Sequence, residues 1–326
     1  MQGKLPPLLT RQCGLKFLSR KAGPARKNIY LKPLIVIAMK AKALYDLLRL
    51  DHGVMLFVAV LIGALIAGGG SLPDATKLLF SFLTALLLEA STFALNDYVD
   101  LEIDRRNRRM DRPLVRGDLK PGVALVSFYL LFPLGILFSF LVNLQCFAIA
   151  LITGIFAILY DLRLKRTKII GNLYIAYIMA VPFLFGASVV SPTIPIAVWF
   201  LACIAFLAGV GREIMKDVMD MAGDRSQGVK SLPIYIGERR ANRVTAAFYL
   251  IAVLLSFVPF LSPAFTTYHG NLLYLLLVCL ADALFILMAA TLAIGKTPPL
   301  SQYRKMTLAA MLIGLLAFLA GAIPGW

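Results

Sequence analysis

Residues 78–113 read LLFSFLTALLLEASTFALNDYVDLEIDRRNRRMDRP. The first half is an apolar run long enough to cross a hydrocarbon core. The second half sets Asp97, Asp100 and Asp104 at the mouth of that run, with Arg105, Arg106, Arg108, Arg109, Arg112 and Arg116 behind them. A lone charged stretch of this kind reads as a solvated loop. A second copy changes the reading, because residues 217–225, DVMDMAGDR, repeat the spacing D-x2-D-x3-D with Asp217, Asp220 and Asp224.

Working outward, the 326 residues are 60% hydrophobic and only 15% charged, with mean hydropathy +0.82. A soluble domain is nearer half apolar and a quarter charged. The pattern predicts an all-α integral membrane protein with nine transmembrane helices near 53–70, 77–97, 121–141, 144–160, 171–190, 195–214, 244–262, 271–294 and 306–325. Net charge is +16, which in a soluble chain would suit nucleic acid. Here placement decides: all but Lys77 of the 33 Lys/Arg fall on or next to one side of the spans. The positive-inside bias then predicts a multi-pass cell-membrane protein with a cytoplasmic N-terminus and an external C-terminus. The partner of this charge is the lipid bilayer and its anionic inner leaflet, and no nucleic acid.

Residues 1–43 are basic and free of acid, and are expected to form a disordered segment ahead of a polytopic domain over 44–326. A cleaved targeting peptide fits less well, for want of an apolar core with a small-residue cleavage site. A start at Met39 is a further reading. Cys13, Cys146, Cys203 and Cys279 stand singly and predict neither zinc nor a disulfide framework. With His52 and His269 as the only histidines, histidine-based metal or triad chemistry has little material.

Positions i, i+3 and i+7 share one helical face, so each aspartate triplet points one way, unless Gly223 ends the second helix early. Two carboxylates about 6 Å apart repel by roughly 3 kcal/mol at an effective dielectric near 20, and a charge within the bilayer costs about 2.5–3.5 kcal/mol. A divalent cation offsets both. Mg2+ suits such sites, since it binds one or two carboxylates, keeps waters and takes substrate phosphates. The triplets lie at the same end of the second and sixth spans, which suggests a parallel internal repeat of spans 1–4 and 5–8, and repeats commonly build a shared site at their interface. The basic set Arg163, Lys165, Arg166 and Lys168 supplies further phosphate donors. Glu89 and Asp282 are intramembrane acids, functional candidates by position. Pro182 marks a kink.

These residues carry a resemblance. NDYVDLEID, at residues 96–104, resembles the first aspartate motif of the UbiA superfamily of intramembrane prenyltransferases. RPLVRG (112–117), YDLRLKR followed by Gly171 and Asn172, DVMDMAGDRSQGVKSLPIYIG (217–237) and LLRLDHGVMLFVAVLIGALIAG (47–68) resemble further segments of that family. The resemblance implies nine helices around a central, lipid-accessible cavity, capped by cytoplasmic acidic segments. It implies Mg2+-dependent transfer of a prenyl group from an isoprenyl diphosphate to a lipophilic acceptor. Asp97, Asp100, Asp104, Asp217, Asp220 and Asp224 would be metal ligands, assisted by Asn96. Lys165, Arg112 and Arg109 would hold the diphosphate, the spacing from Asp104 to Arg112 departing by a residue from that of some aromatic-acceptor members. Tyr160 would face the allylic cation or serve as an interfacial anchor. Asn172, Lys230, Arg49 and His52 are candidates for acceptor or diphosphate contacts. The stretch GREIMKDVMDMAGD (211–224) most resembles the archaeal ether-lipid branch, which joins a geranylgeranyl group to geranylgeranylglyceryl phosphate. There Arg212 and Lys216 would meet an acceptor phosphate, or Lys216 would simply pair with Asp220. An aromatic acceptor of quinone or chlorophyll type is the alternative within the family. Outside it stand a membrane transporter and a non-catalytic lipid-binding scaffold.

Overall fold

The computed structural model describes residues 24–226, 228–294 and 300–323. It is helical throughout: α1 (Pro24–Leu48), α2 (Leu50–Ala67), α3 (Ala75–Val99), α4 (Leu101–Arg106), α5 (Pro113–Arg116), α6 (Pro121–Val142), α7 (Leu144–Leu162), α8 (Lys168–Val190), α9 (Ile196–Ser226), α10 (Leu232–Ile236), α11 (Glu238–Ser256), α12 (Val258–Leu261), α13 (Leu272–Ile294) and α14 (Leu300–Ala322). Among the described residues, eight helices are long and apolar enough to cross a membrane. A ninth apolar helix, Met55–Ala67, is shorter. It belongs to α2, which runs 18 residues from Leu50 to Ala67 over the first expected span.

Local chemistry sets the helix ends. Asp74 caps α3 by accepting from the backbone N–H of Thr76 and Lys77 at 2.9 and 3.2 Å, which holds its carboxyl below the usual carboxylate range. Asn143 does the same for α7 through the N–H of Cys146 at 2.7 Å. Consecutive long helices pack on one another from α2 round to α13, and α14 returns to pack on both α13 and α2. The ends of α3, α7 and α9 and the starts of α2 and α8 therefore share one side of the bundle.

Inside that circuit α2 packs closely on α8. A Cβ on Gly63 would lie 2.0 Å from the carbonyl oxygen of Phe183, and one on Gly186 would lie 1.9 Å from that of Val60. Only glycine permits this approach. In lipid, where apolar burial drives little helix association, such backbone contact supplies the packing energy. The interval from Gly63 to Gly186 equals that from Val60 to Phe183, so the two helices meet as equivalent partners, as in an isologous interface. The expected internal repeat thus has a structural counterpart in α2–α3 and α8–α9.

The helices bear on several expectations. Helix α9 continues through Gly223 to Ser226, since neighbouring turns carry the glycine. The boundary expected at residue 43 falls inside helix α1, which continues beyond it to Leu48; residues 1–23 lie outside the described residues. Pro182 lies inside α8. Asp282 has a partner that the sequence did not reveal: Ser256 Oγ donates to it at 2.7 Å. The Glu89 carboxylate lies on the α2 side of α3, near Gly53.

Candidate functional site

The first acid cluster forms where α3 runs into α4. Asp100 joins the two with a near-helical backbone, φ −87° and ψ −1°. Its N–H bonds Asn96 O at 2.9 Å and its own carbonyl receives Asp104 N–H at 2.8 Å. The helical register thus carries through the triplet. Asp97 is 2% exposed. Its Oδ1 accepts from Arg49 Nη2 and from Arg112 Nη1, each at 2.6 Å, and its buried Oδ2 has no hydrogen-bond partner. Arg49 reaches it from the break between α1 and α2, where it takes a left-handed backbone, φ 47°. Its guanidinium also lies 4.1 Å over the ring of Phe93, a cation–π contact. Asp100 receives Lys165 Nζ. Asp104 lies 3.8 Å from Arg112 Nε and 3.9 Å from Arg109 Nη1, and burial pushes its carboxyl above the ordinary aspartate value. Arg109 is chiefly engaged with Asp111 through two bonds of 3.1 and 3.0 Å, which hold the Asp111 carboxyl below its usual range.

The second cluster lies on the last turns of α9. Asn172 Nδ2 donates to Asp217 Oδ2 at 2.7 Å. Lys168 Nζ stands 3.2 Å from Asp217, 2.7 Å from Asp224 and 3.9 Å from Asp220. Asp220 is the outlying member, its side chain 64% exposed.

One segment ties the clusters together. It runs from the end of α7 through a single 3-10 turn, Leu164–Arg166, into α8. Asp161 at its start accepts from Asn96 Nδ2 at 2.7 Å. Lys165 goes to the first cluster and Lys168 to the second. The backbone N–H of Lys168 donates to Lys230 O at 3.1 Å, part of an isolated parallel bridge between Thr167 and Lys230. Tyr160 stacks on Tyr174 with ring centroids 5.0 Å apart.

The sequence-expected residues are therefore largely gathered, in unequal roles. Asn96 meets Asp161 rather than the acid triplet. Lys230 contributes its main chain to the 167–168 segment. Arg212 and Lys216 meet on Glu213, at 2.7 and 2.6 Å, so the pairing of Lys216 with Asp220 gives way to a closer carboxylate one turn back. His52 lies on α2, and its side chain is outside the described residues. Sequence reasoning missed the central place of Lys168, and the parts of Asp161 and Glu213. Asp161 and Glu213 stand inside quoted motifs and Lys168 in the basic set beside one, and only the fold tells which neighbour each meets. Among the described residues no three His, Cys, Asp or Glu side chains form a ready metal cage, because the carboxylates face side-chain cations.

The fold is a polytopic helical bundle with two acid triplets on one side, joined by a basic strap. Residues 56–316 match the UbiA prenyltransferase family, and the chain belongs to that family. It is therefore a prenyltransferase, and the transporter and scaffold readings fall away. It is 45% identical over 284 residues to the digeranylgeranylglyceryl phosphate synthase of Archaeoglobus fulgidus, covering 86% of this chain and 95% of that one. It is 38% identical over 287 residues to the synthase of the same name from Methanosarcina mazei, covering 85% and 96%. A solved structure described as digeranylgeranylglyceryl phosphate synthase in membranes superposes with TM-score 0.72 at 34% identity, covering 87% and 99%. A UbiA homologue from A. fulgidus bound to GPP and Mg2+ shares the fold, with TM-score 0.60 at 20% identity over 86% and 98%.

Proposed function

We propose that the protein transfers a geranylgeranyl group from geranylgeranyl diphosphate to the free hydroxyl of geranylgeranylglyceryl phosphate, forming the second ether of an archaeal-type lipid. One observation carries this reading: the relatives matched along nearly their whole length are digeranylgeranylglyceryl phosphate synthases.

Mg2+ fits the residues present. The donors are hard carboxylate oxygens, and the buried, unpartnered Oδ2 of Asp97 is an acceptor that a cation satisfies. Asp97, Asp100, Asp104, Asp217, Asp220 and Asp224 would hold it, with Asn96 fixing the first cluster through Asp161. Bound there, Mg2+ supplies electrostatic stabilisation of the charge that develops on the leaving diphosphate. Lys165, Lys168, Arg109 and Arg112 take diphosphate oxygens by charge-assisted hydrogen bonds, exchanging their present carboxylate partners for phosphate. The allylic C–O bond breaks with its electron pair left on the diphosphate, and the acceptor hydroxyl oxygen forms the new C–O bond while its proton passes to the departing diphosphate. Tyr160, braced by Tyr174, presents a ring face to the electron-poor carbon. The allylic carbon needs surroundings free of water, which the apolar helices beneath the acid clusters would supply. Residues 44–326 form the catalytic unit, the acid end faces the cytoplasm, and the basic N-terminal segment lies along the anionic leaflet.

The test is a transfer assay with labelled geranylgeranyl diphosphate, Mg2+ and geranylgeranylglyceryl phosphate. The expected product is the diether phosphate. Transfer to an aromatic acid in its place would overturn the proposed acceptor, and no transfer to any acceptor would overturn the whole reading.

A further inference from the structure

The two arginines that meet on Asp97 come from segments that meet a second time. Arg49 follows α1 and Arg112 precedes α5, and both donate to Asp97 Oδ1 at 2.6 Å. One turn before Arg49 stands Asp46, and one turn after Arg112 stands Arg116. These two pair with each other, Arg116 Nη2 donating to Asp46 Oδ2 at 3.0 Å. The rest of the Arg116 guanidinium is spent on its own loop. It donates to Asp118 Oδ2 at 2.6 Å and to the carbonyl oxygens of Asp111 and Met110 at 3.1 and 3.2 Å. Arg116 therefore closes the loop that carries Arg112 and ties it to the helix that carries Arg49.

Such an arrangement needs holding. Two guanidiniums on one oxygen repel each other. Arg49 also takes a left-handed backbone, φ 47° and ψ 48°, which an arginine keeps only where its surroundings enforce it. A single link at Asp97 leaves the two segments free to swivel about it, and a second link one turn away fixes their angle. The second link is poorly placed to stabilise the fold. The Arg116 side chain keeps 28% of its exposure and that of Asp46 27%, and ion pairs open to solvent contribute little.

The internal repeat separates this pair from the needs of the fold. The interval that carries Asp97 onto Asp217 carries Pro113, Arg116 and Gly117 onto Pro233, Ile236 and Gly237. Each half thus sets a short helix after its acid triplet, α5 in one and α10 in the other. The second half holds its short helix by apolar contact, with Ile236 against the cluster that includes Val218 and Ala241. There Leu232 stands in the place of Arg112, Asn172 in that of Arg49 and Ile169 in that of Asp46. The ion pair is present in the half where two guanidiniums converge on one carboxylate, and it is replaced by isoleucines in the half where they do not. We infer that Asp46 and Arg116 are positioning residues: their pair holds Arg49 and Arg112 together on Asp97 in the geometry that receives the diphosphate. Precise placement of the groups that meet a substrate depends on such support from behind. This inference rests on the function proposed above.

The experiment uses the full chain in lipid nanodiscs with Mg2+ and geranylgeranyl thiolodiphosphate, an unreactive analogue whose affinity is read by calorimetry. Asp46→Asn keeps the shape of the side chain and removes its charge. It is expected to weaken analogue binding, and to raise KM for geranylgeranyl diphosphate, about tenfold. The acceptor KM and the thermal unfolding midpoint stay near those of the wild type. Asp46→Glu recovers most of the loss. Made in an Arg112→Gln background, Asp46→Asn adds about twofold at most, because the arginine that meets the diphosphate is gone. Arg116→Gln gives the same pattern, and if it fails to fold, the smaller change Asp46→Asn decides the matter. Wild-type analogue affinity in Asp46→Asn, a loss that recurs in full in the Arg112→Gln background, or an equal rise in the acceptor KM overturns this inference alone. A wild-type chain that does not bind the analogue overturns the underlying function.

Discussion

Arg49 and Asn172 hold equivalent places in the two halves of the protein. Each reaches from the start of its helix to the first aspartate of a triplet, Arg49 to Asp97 at 2.6 Å and Asn172 to Asp217 at 2.7 Å. Their separation in the chain equals that of Gly63 and Gly186, so one pseudo-twofold relation covers both the helix crossing and the two clusters. The relation is geometric and not electrostatic. Asp97 is met by two guanidiniums, Arg49 and Arg112, whereas among the described residues Lys168 is the cation paired with Asp217, Asp220 and Asp224. The second cluster therefore keeps more uncompensated negative charge.

That asymmetry separates two roles in mutants. Asp97→Asn strands two cations, and breaking a buried pair costs about 3–5 kcal/mol. The variant is expected to lower the thermal unfolding midpoint as well as cutting transfer about a hundredfold. Asp217→Asn is expected to cost less stability and to raise the Mg2+ concentration for half-maximal activity more than Asp97→Asn does. Thermal unfolding in detergent and a Mg2+ titration of initial rates measure the two effects. Equal Mg2+ shifts in both variants would show that the clusters share the cation load evenly.

Lys168 predicts an effect on stability that Mg2+ modulates. Removing its ammonium in Lys168→Met leaves three acids repelling across about two turns of helix, each close pair by roughly 3 kcal/mol at an effective dielectric near 20. In the presence of EDTA the variant is expected to unfold at a lower temperature than the wild type. Adding Mg2+ with an unreactive prenyl diphosphate analogue is expected to close most of that gap, because ligand binding to the folded state stabilises by mass action. A gap that persists at saturating Mg2+ and analogue would place Lys168 in packing alone.

The α2–α8 crossing makes a further test. Gly186→Ala puts a methyl 1.9 Å from Val60 O, and Gly63→Ala puts one 2.0 Å from Phe183 O. Each clash is with backbone, so the helices must separate, at about 1–3 kcal/mol for overpacking of this kind. The expected result is a lower unfolding midpoint for each single variant. The double variant is expected to lose less than the sum, since one separation relieves both clashes. Strict additivity in the midpoints would argue against a single shared contact.

The all-α membrane architecture and both acid clusters were legible in the sequence, because their signals are local. An apolar run has a length and an aspartate triplet has a period. The strap between the clusters was only half legible. Lys165 carried a motif, but Lys168 was one base among four in DLRLKRTK (161–168) until the 3-10 turn and the bridge to Lys230 set its direction. Glu213 and Asp161 escaped for the same reason, since a buried carboxylate is defined by what surrounds it. The partner of Asp282 came from Ser256 on another helix, a contact with no local trace.

Orientation follows from charge, and it is testable residue by residue. The connections opposite the acid clusters, near 68–74, 191–195 and 257–271, contain no Lys or Arg, while the acid end carries them densely. Basic loops are retained in the cytoplasm, so the aspartates and their strap are expected to face inward and Ser71 outward. Ser71 and Arg225 are both exposed, one at each end. In a background with the four native cysteines replaced by alanine, Ser71→Cys is expected to react with a charged, membrane-impermeant maleimide on intact cells. Arg225→Cys is expected to react only after the membrane is opened. Because the helices alternate in direction, one reversed pair of reactivities would invert the whole bundle, and would send the prenyl diphosphate to the other face of the membrane.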